Sequence, residues 1–330
     1  MRTTPDRSVH RLQNGDLLLE VCPQLGGSIV RWSMHRDGKT TELLRPGSSE
    51  KLKPVDAINV LDTSSFPLVP YSGRITNAEF NFLDRHIRQP TLDQFHPHAI
   101  HGHGWLHAWQ LIDETEQSLV LEYRNDGDTP ANQWPWSYCV QQRFTLTRQQ
   151  LSVDLEIHNE STDTMPAGLG LHPYFPVHDG AIIKTASTGI WLTDDLVLPV
   201  EHQTLGREHA YNLAFSPTDH QLDNVFTGWN GRARLEWSKQ NLALDIQSNA
   251  DHLIIFTPPG EDYFCVEPAT HAADSFNDVS DLSEHNSNSS SQNAIAPSNR
   301  LGTTTTGRQT IEAGDSLSLA VEFIVGALNQ

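Results

Sequence analysis

The sequence predicts an all-β chain, built as one large antiparallel β-sandwich. Three observations carry that prediction. Apolar residues recur with a period of two in short runs from Asp16 to Val325; in the clearest, Leu151, Val153, Leu155 and Ile157 alternate with Ser152, Asp154, Glu156 and His158. No stretch carries the period of a long amphipathic helix. The polar segment 279–307 has strand patterns on both sides, so it interrupts a domain rather than joining two, and residues 1–330 read as a single unit.

Taken in order, Asp16 to Val21 and Ser28 to Met34 read as a strand pair about a turn at Pro23 to Gly27, where Gly26 and Gly27 punctuate the hairpin. Residues 36–60, rich in charge, Gly and Pro, read as a loop with short extended pieces. In Phe66 to Ile75 two prolines and a glycine frame Arg74, which is then either a surface cation or part of a binding loop. The histidine-dense run Phe95 to Trp105 follows. On a strand its His101 and His103 would face one side, as two imidazole metal ligands must. Gly102 and Gly104 interleave them, which equally suits close approach of a flat ligand such as a sugar. A solvated histidine loop is the third reading.

Strand patterns resume at Leu119 to Arg124, Tyr138 to Thr147 and Leu151 to Asn159, with Trp134 and Trp136 assigned to core or rim packing. Gly168 to Pro176 then sets His172 between a glycine-spaced strand and a proline-aromatic break. Histidine is the side chain most readily tuned for proton transfer near neutral pH. Pro173 and Pro176 are expected to stop a regular ladder there, opening the strand into a cleft. Further strands read at Ala181 to Lys184, Ala233 to Trp237, Leu242 to Ile246 and Leu253 to Thr257. Asp223, among apolar neighbours, reads as a turn cap or a site carboxylate. Glu267 closes an apolar strand just before Pro268, where a buried carboxylate is costly without a partner. Segment 279–307, rich in Ser, Asn and Thr, is expected to be a flexible insertion. Leu317, Leu319, Val321, Phe323 and Val325 form one face of a closing strand.

Composition narrows the partners. With 22 Lys plus Arg against 41 Asp plus Glu, a formal net charge of −19 repels phosphate backbones and anionic bilayers, so neither nucleic acid nor a membrane is expected. Cys22, Cys139 and Cys265 are dispersed and form no CxxC pair, as in reduced cytoplasmic proteins. The N-terminus leads into no apolar signal region and no window reaches the length of a membrane span; a soluble cytoplasmic protein is expected.

Five short motifs, in this order, are similar to those of the aldose 1-epimerase (galactose mutarotase) family: Pro70 to Ile75, Ile100 to Trp105, Gly168 to Pro176, Leu222 to Phe226, and Cys265 to Pro268. The resemblance extends to the opening hairpin and the closing strand. It implies a β-sandwich whose concave face holds one monosaccharide, acting as a monomer or homodimer with no metal or organic cofactor. Position by position it implies Glu267 as general base, His172 as general acid and His101 as a second histidine beside the ring oxygen. It likewise implies Arg74 and Asp223 as holders of the sugar hydroxyls. Trp105, Tyr174 and Phe175 are candidates for an apolar wall. Ser72 and Gly73 depart from the family, in which many relatives carry Ala-Asn before the arginine. The expected activity is interconversion of the α and β anomers of a free hexose such as galactose or glucose. Its rivals are a hexose 6-phosphate epimerase, which needs an arginine cluster where only dispersed Arg31 and Arg36 are seen, a non-catalytic sugar-binding module, and a metal enzyme using His101 and His103.

Overall fold

The computed structural model describes residues 8–47, 59–127, 134–178, 180–277 and 306–328. Their regular structure is strand, punctuated by three-residue 3₁₀ turns. Among the described residues two antiparallel sheets dominate. The larger has eleven strands, and its middle runs Ser65–Leu68, Gly170–Pro176, Tyr263–Ala269, His252–Phe256, Asp223–Thr227 and Gly189–Thr193, with the opening hairpin Leu17–Cys22 and Ser28–Arg36 on one flank. The smaller has eight strands, among them Ser118–Asn125, Tyr138–Leu146, Gln150–Asn159, Ser316–Gly326, Leu242–Ser248 and Arg232–Trp237. The predicted all-β antiparallel sandwich is the observed fold.

Period-two alternation explains how one strand serves both core and site. Side chains at i and i+2 share a face, and those between them take the other. In the larger sheet Leu171, Phe175, Phe264, Val266, Leu253, Ile255 and Phe226 point into the main core. There Phe323 of the smaller sheet meets Trp32 at 5.8 Å and Phe175 at 6.3 Å between ring centroids. Leu151, Val153, Leu155 and Ile157 fill the same core from the smaller sheet, as their alternation predicts. Trp134 and Trp136 are buried there too, with rings 5.6 Å apart. The opposite face of the larger sheet carries His172, Tyr174, Cys265, Glu267, Ile254 and Val225, and the site lies on that face.

Three expectations change. Gly170–Pro176 is one strand running through both Pro173 and Pro176, because its backbone pairs on two sides and a proline removes only the single bond its missing N–H would have made. Within 36–60, Lys39–Glu42 forms a regular strand against Ser28–Arg36, while 48–58 lie outside the described residues. Most of the expected insertion, 279–305, also lies outside them, but its last two residues do not belong to a loose segment. Thr306 is buried and its carbonyl accepts the Ala272 N–H at 2.8 Å; a Cβ on Gly307 would stand 2.5 Å from His252. All three cysteines are buried and none is in a disulfide, and no helix among the described residues is long and apolar enough to cross a membrane.

Candidate active site

The site grows from one irregularity in the larger sheet. The ladder between Gly170–Pro176 and Tyr263–Ala269 pairs Gly170 with Ala269 and Tyr174 with Cys265, and is open between them. Continued through the opening, the register sets His172 opposite Glu267. Pro173 and Pro268 both stand in the gap and bring no N–H to close it. Directly opposed residues of antiparallel strands share a face, and His172 Nε2 lies 3.4 Å from Glu267 Oε1. The same cross-strand row continues through Phe66 on one side and Ile254 and Val225 on the other. Remote segments of sequence thus form one floor.

The His172 ring packs against Phe66 at 4.7 Å and Tyr174 at 4.5 Å, both nearly parallel to it. His101 stands edge-on to it at 5.5 Å. His101 reaches this place through a left-handed backbone, φ 61°, costly for a non-glycine residue and held by its neighbours. Its N–H bonds the Gly73 carbonyl at 2.9 Å, and its Nδ1 accepts the Gly73 N–H at 3.1 Å. The neutral ring therefore carries its proton on Nε2. Gly102 is forced by the same packing, because a Cβ there would stand 2.2 Å from the Val69 carbonyl oxygen. The close approach that Gly102 permits is made by the chain itself rather than by a ligand. Arg74 pairs in register with Ile100 beside this loop, and its Nη1 lies 3.8 Å from Asp223 Oδ2, across the mouth of the cleft.

These five side chains, Arg74, His101, His172, Asp223 and Glu267, line one cavity of about 240 Å³. Burial dominates its electrostatics, since taking a charge out of water favours the neutral form. Glu267, only 2% exposed, has its pKa pushed well above the ordinary carboxylate range by burial, with the Asp223 charge adding to the effect and Arg74 opposing it. Burial, with a further push from the Arg45 charge, lowers His172 to about 3. His101 is held well below the ordinary imidazole value by burial, then by His172 and Arg74. Asp223 is raised by burial against the pull of Arg74. The Glu267–His172 pair thus holds one proton, favoured on the carboxyl side.

The apolar wall is Tyr174, Trp191, Val225, Ile254, Phe256 and Tyr263. Of the sequence candidates only Tyr174 belongs to it. Trp105 is buried behind Phe66, stacked at 5.3 Å, and Phe175 points into the core. Trp191 was missed, because Ile190, Trp191 and Leu192 form a continuous apolar run with no alternation to mark the face that meets the cleft. Arg45 was also missed. It sits 3.8 Å over Tyr174 and 4.4 Å over Tyr263 and donates to the carbonyls of Leu61 and Thr63, which fixes the back of the wall.

His101 and His103 do not converge. The chain there is a turn rather than a strand, and His103 points away from the cavity, with Nε2 2.7 Å from the Tyr138 hydroxyl. Among the described residues, ligand-type atoms of His172, Cys265 and Glu267 lie within 4.8 Å of one another. Burial pushes the Cys265 thiol well above its ordinary value, so without a cation beside it the sulfur stays protonated.

Over residues 8–291 the sequence matches the family profile described as aldose 1-epimerase. The chain belongs to the aldose 1-epimerase family. One relative, the uncharacterized Escherichia coli (strain K12) protein YphB, is 31% identical over 277 residues, spanning 81% of this chain and 89% of YphB. Among solved structures, a candidate aldose 1-epimerase from Escherichia coli K12 is 28% identical with a TM-score of 0.77, covering 97% of this chain and 99% of that one. A galactose mutarotase-like protein from Clostridium acetobutylicum shares the fold at 18% identity, with a TM-score of 0.77 over 96% of this chain and 95% of its own. The epimerase fold therefore extends over both sheets.

Proposed function

We propose that this family member is a cytoplasmic mutarotase that interconverts the α and β anomers of a free hexose such as galactose or glucose. The observation that carries the reading is the Glu267–His172 pair, 3.4 Å apart on the floor of a cleft whose mouth holds Arg74 and Asp223. The three buried cysteines, none in a disulfide, support a reducing compartment.

The working state is the tautomer with the shared proton on His172 and a carboxylate on Glu267, which the Arg74 charge favours. Glu267 takes the proton of the C1 hydroxyl while His172 gives its proton to the ring oxygen. The C1 to ring-oxygen bond breaks, leaving an open aldehyde. Rotation about C1–C2 and the reverse proton transfers close the ring as the other anomer. Each proton transfer by a positioned group contributes about 10²- to 10⁴-fold in rate. His101 presents an Nε2–H beside His172, suited to the ring oxygen. Arg74 and Asp223 orient the hydroxyls, and the wall around Trp191 takes the C–H face.

Polarimetry of freshly dissolved galactose and glucose, corrected for spontaneous and buffer-catalysed mutarotation, tests this. The parent should accelerate anomer exchange, and Glu267→Gln and His172→Asn should each lower kcat by about 10²-fold or more. The double variant should lose less than the product of the single losses, because a relay fails once either end is gone. A folded Glu267→Gln protein with near-parental rates would remove the base from the scheme.

A further inference from the structure

Beyond the groups placed in the chemistry, the cavity rests on a segment to which no role has been given. Residues 271–277 follow directly on the Glu267 strand and grip the loop that carries Arg74. His271, 2% exposed, accepts the Ser72 N–H on Nε2 at 3.1 Å, and its Nδ1 lies 2.7 Å from the Ala272 carbonyl oxygen, which fixes the Nδ1–H tautomer. Asp274 binds the next turn three times: its N–H to the Arg74 carbonyl at 2.7 Å, and its two carboxylate oxygens to the Thr76 N–H at 2.9 Å and hydroxyl at 2.7 Å. Asn277 reaches the Glu79 carbonyl at 3.0 Å.

The grip also explains a glycine in the histidine motif. A Cβ at residue 168 would stand 1.9 Å from the His271 ring, so Gly168 is the space in which that ring lies. Thr270 fastens the same corner, exchanging bonds with the Leu169 backbone at 2.9 Å.

We propose that His271 and Asp274 form a positioning clamp for the sugar site, with His271 as an obligatory hydrogen-bond acceptor that sets the Ser72-Gly73-Arg74 backbone relative to Glu267 and His101. The chain of contacts is short. The Gly73 N–H bonds His101 Nδ1 and the Gly73 carbonyl accepts the His101 N–H, so a shift of Ser72 moves Arg74 and His101 together. A displacement of about 1 Å at such a point costs up to roughly 10²-fold in rate. The inference rests on the proposed mutarotase reading for its kinetic test, and on geometry alone for its structural one.

The test compares His271→Leu, which removes the acceptor, with His271→Gln, whose amide oxygen can take its place. The groups facing Glu267 are His172, Tyr174, Cys265, Asp223 and Arg74, and of these Arg74 holds its pKa down. With galactose and glucose as probes, His271→Leu should raise KM about tenfold or more and lower kcat, and should move the alkaline limb of activity to higher pH as Arg74 shifts. His271→Gln should recover most of both. If His271→Leu does not fold, Asp274→Asn and Thr76→Val loosen the same loop and should move KM and the alkaline limb in the same directions. A folded His271→Leu protein with parental KM and limb overturns the clamp. Equal losses in the Leu and Gln variants also overturn it, since they would mean that the ring only packs. A parent without mutarotase activity overturns the proposed function instead; a crystal structure of His271→Leu then decides the clamp, with an unmoved Arg74 backbone counting against it.

Discussion

At the scale of residues, the site turns on one proton shared by two buried groups. In the proposed mechanism base and acid must begin in opposite protonation states, so the pair would work while it holds one proton and fail with two or none. A second proton enters only as His172 titrates, at about 3, and the last one leaves only above the raised Glu267 value. Activity should therefore persist to lower pH than a free imidazole would allow, and its alkaline limb should report the pair's last proton. A pH–kcat profile falling on the acid side near the ordinary imidazole value would contradict this. The same burial costs stability. The folded pKa of Glu267 lies above its unfolded value, so its stabilising contribution is complete below the unfolded pKa and is lost as pH rises through the folded one. Glutamine does not titrate, so Glu267→Gln should melt higher than the parent by an amount that grows from pH 4.5 upwards. A rise of about 1.5 °C corresponds to about 1 kcal/mol in a domain of this length. Calorimetry at several pH values checks it, and a Tm difference that is flat with pH would show that folding leaves the Glu267 pKa unshifted.

At the scale of elements, much was legible because alternation is a local property. Leu151 to Ile157 and Leu317 to Val325 read as half-buried strands from their own side chains, and they are. Trp134 and Trp136 read as packing for the same reason. What sequence could not supply was register between distant strands. Nothing near His172 says that Glu267 stands opposite it; that follows from Gly170 pairing with Ala269 and Tyr174 with Cys265. Proline misled in the same way, since Pro173 looks like a strand end and is instead part of a gap inside a strand. His101 was placed beside His172 by family resemblance, whereas its own neighbourhood suggested a strand shared with His103. The left-handed turn that parts them depends on contacts with Val69 and Gly73 made elsewhere in the chain. The polar segment gives a prediction at this scale. Its composition offers little to bury, and loop length costs entropy slowly. Excision of 282–305 should leave Tm nearly unchanged, whereas a cut that also takes Thr306 and Gly307 should lower it, because Thr306 bonds Ala272 and Gly307 packs on His252. Thermal melts of the two deletions separate the cases, and equal Tm values would place the boundary wrongly.

At the scale of the whole molecule, charge and topology act together on substrate choice. The formal charge of −19 surrounds the cleft with a field that opposes anions. Inside it, Arg74 is the one Lys or Arg side chain among the described residues that lines the cavity, and Asp223 already faces it at 3.8 Å. Arg45 is taken by two carbonyls and two rings. Arg31 and Arg36, the dispersed candidates for a phosphate, pair with Glu42 at 2.5 Å and Asp16 at 2.8 Å. A phosphorylated hexose would meet long-range repulsion and then find, among the described residues, no unengaged guanidinium in the cavity to receive its dianion. These two penalties separate by salt. Repulsion between exposed charges is largely screened as the Debye length falls from about 10 Å at 0.1 M to about 3 Å at 1 M, whereas a missing short-range partner is not restored. Hexose 6-phosphates should therefore show kcat/KM lower than the free hexoses by about 10²-fold at low salt, the cost of roughly 2.7 kcal/mol, with only part of the difference recovered at 1 M. Coupled assays on glucose, galactose and their 6-phosphates across that range measure it, and equal or better turnover of the phosphorylated sugars at low salt would reverse the substrate assignment.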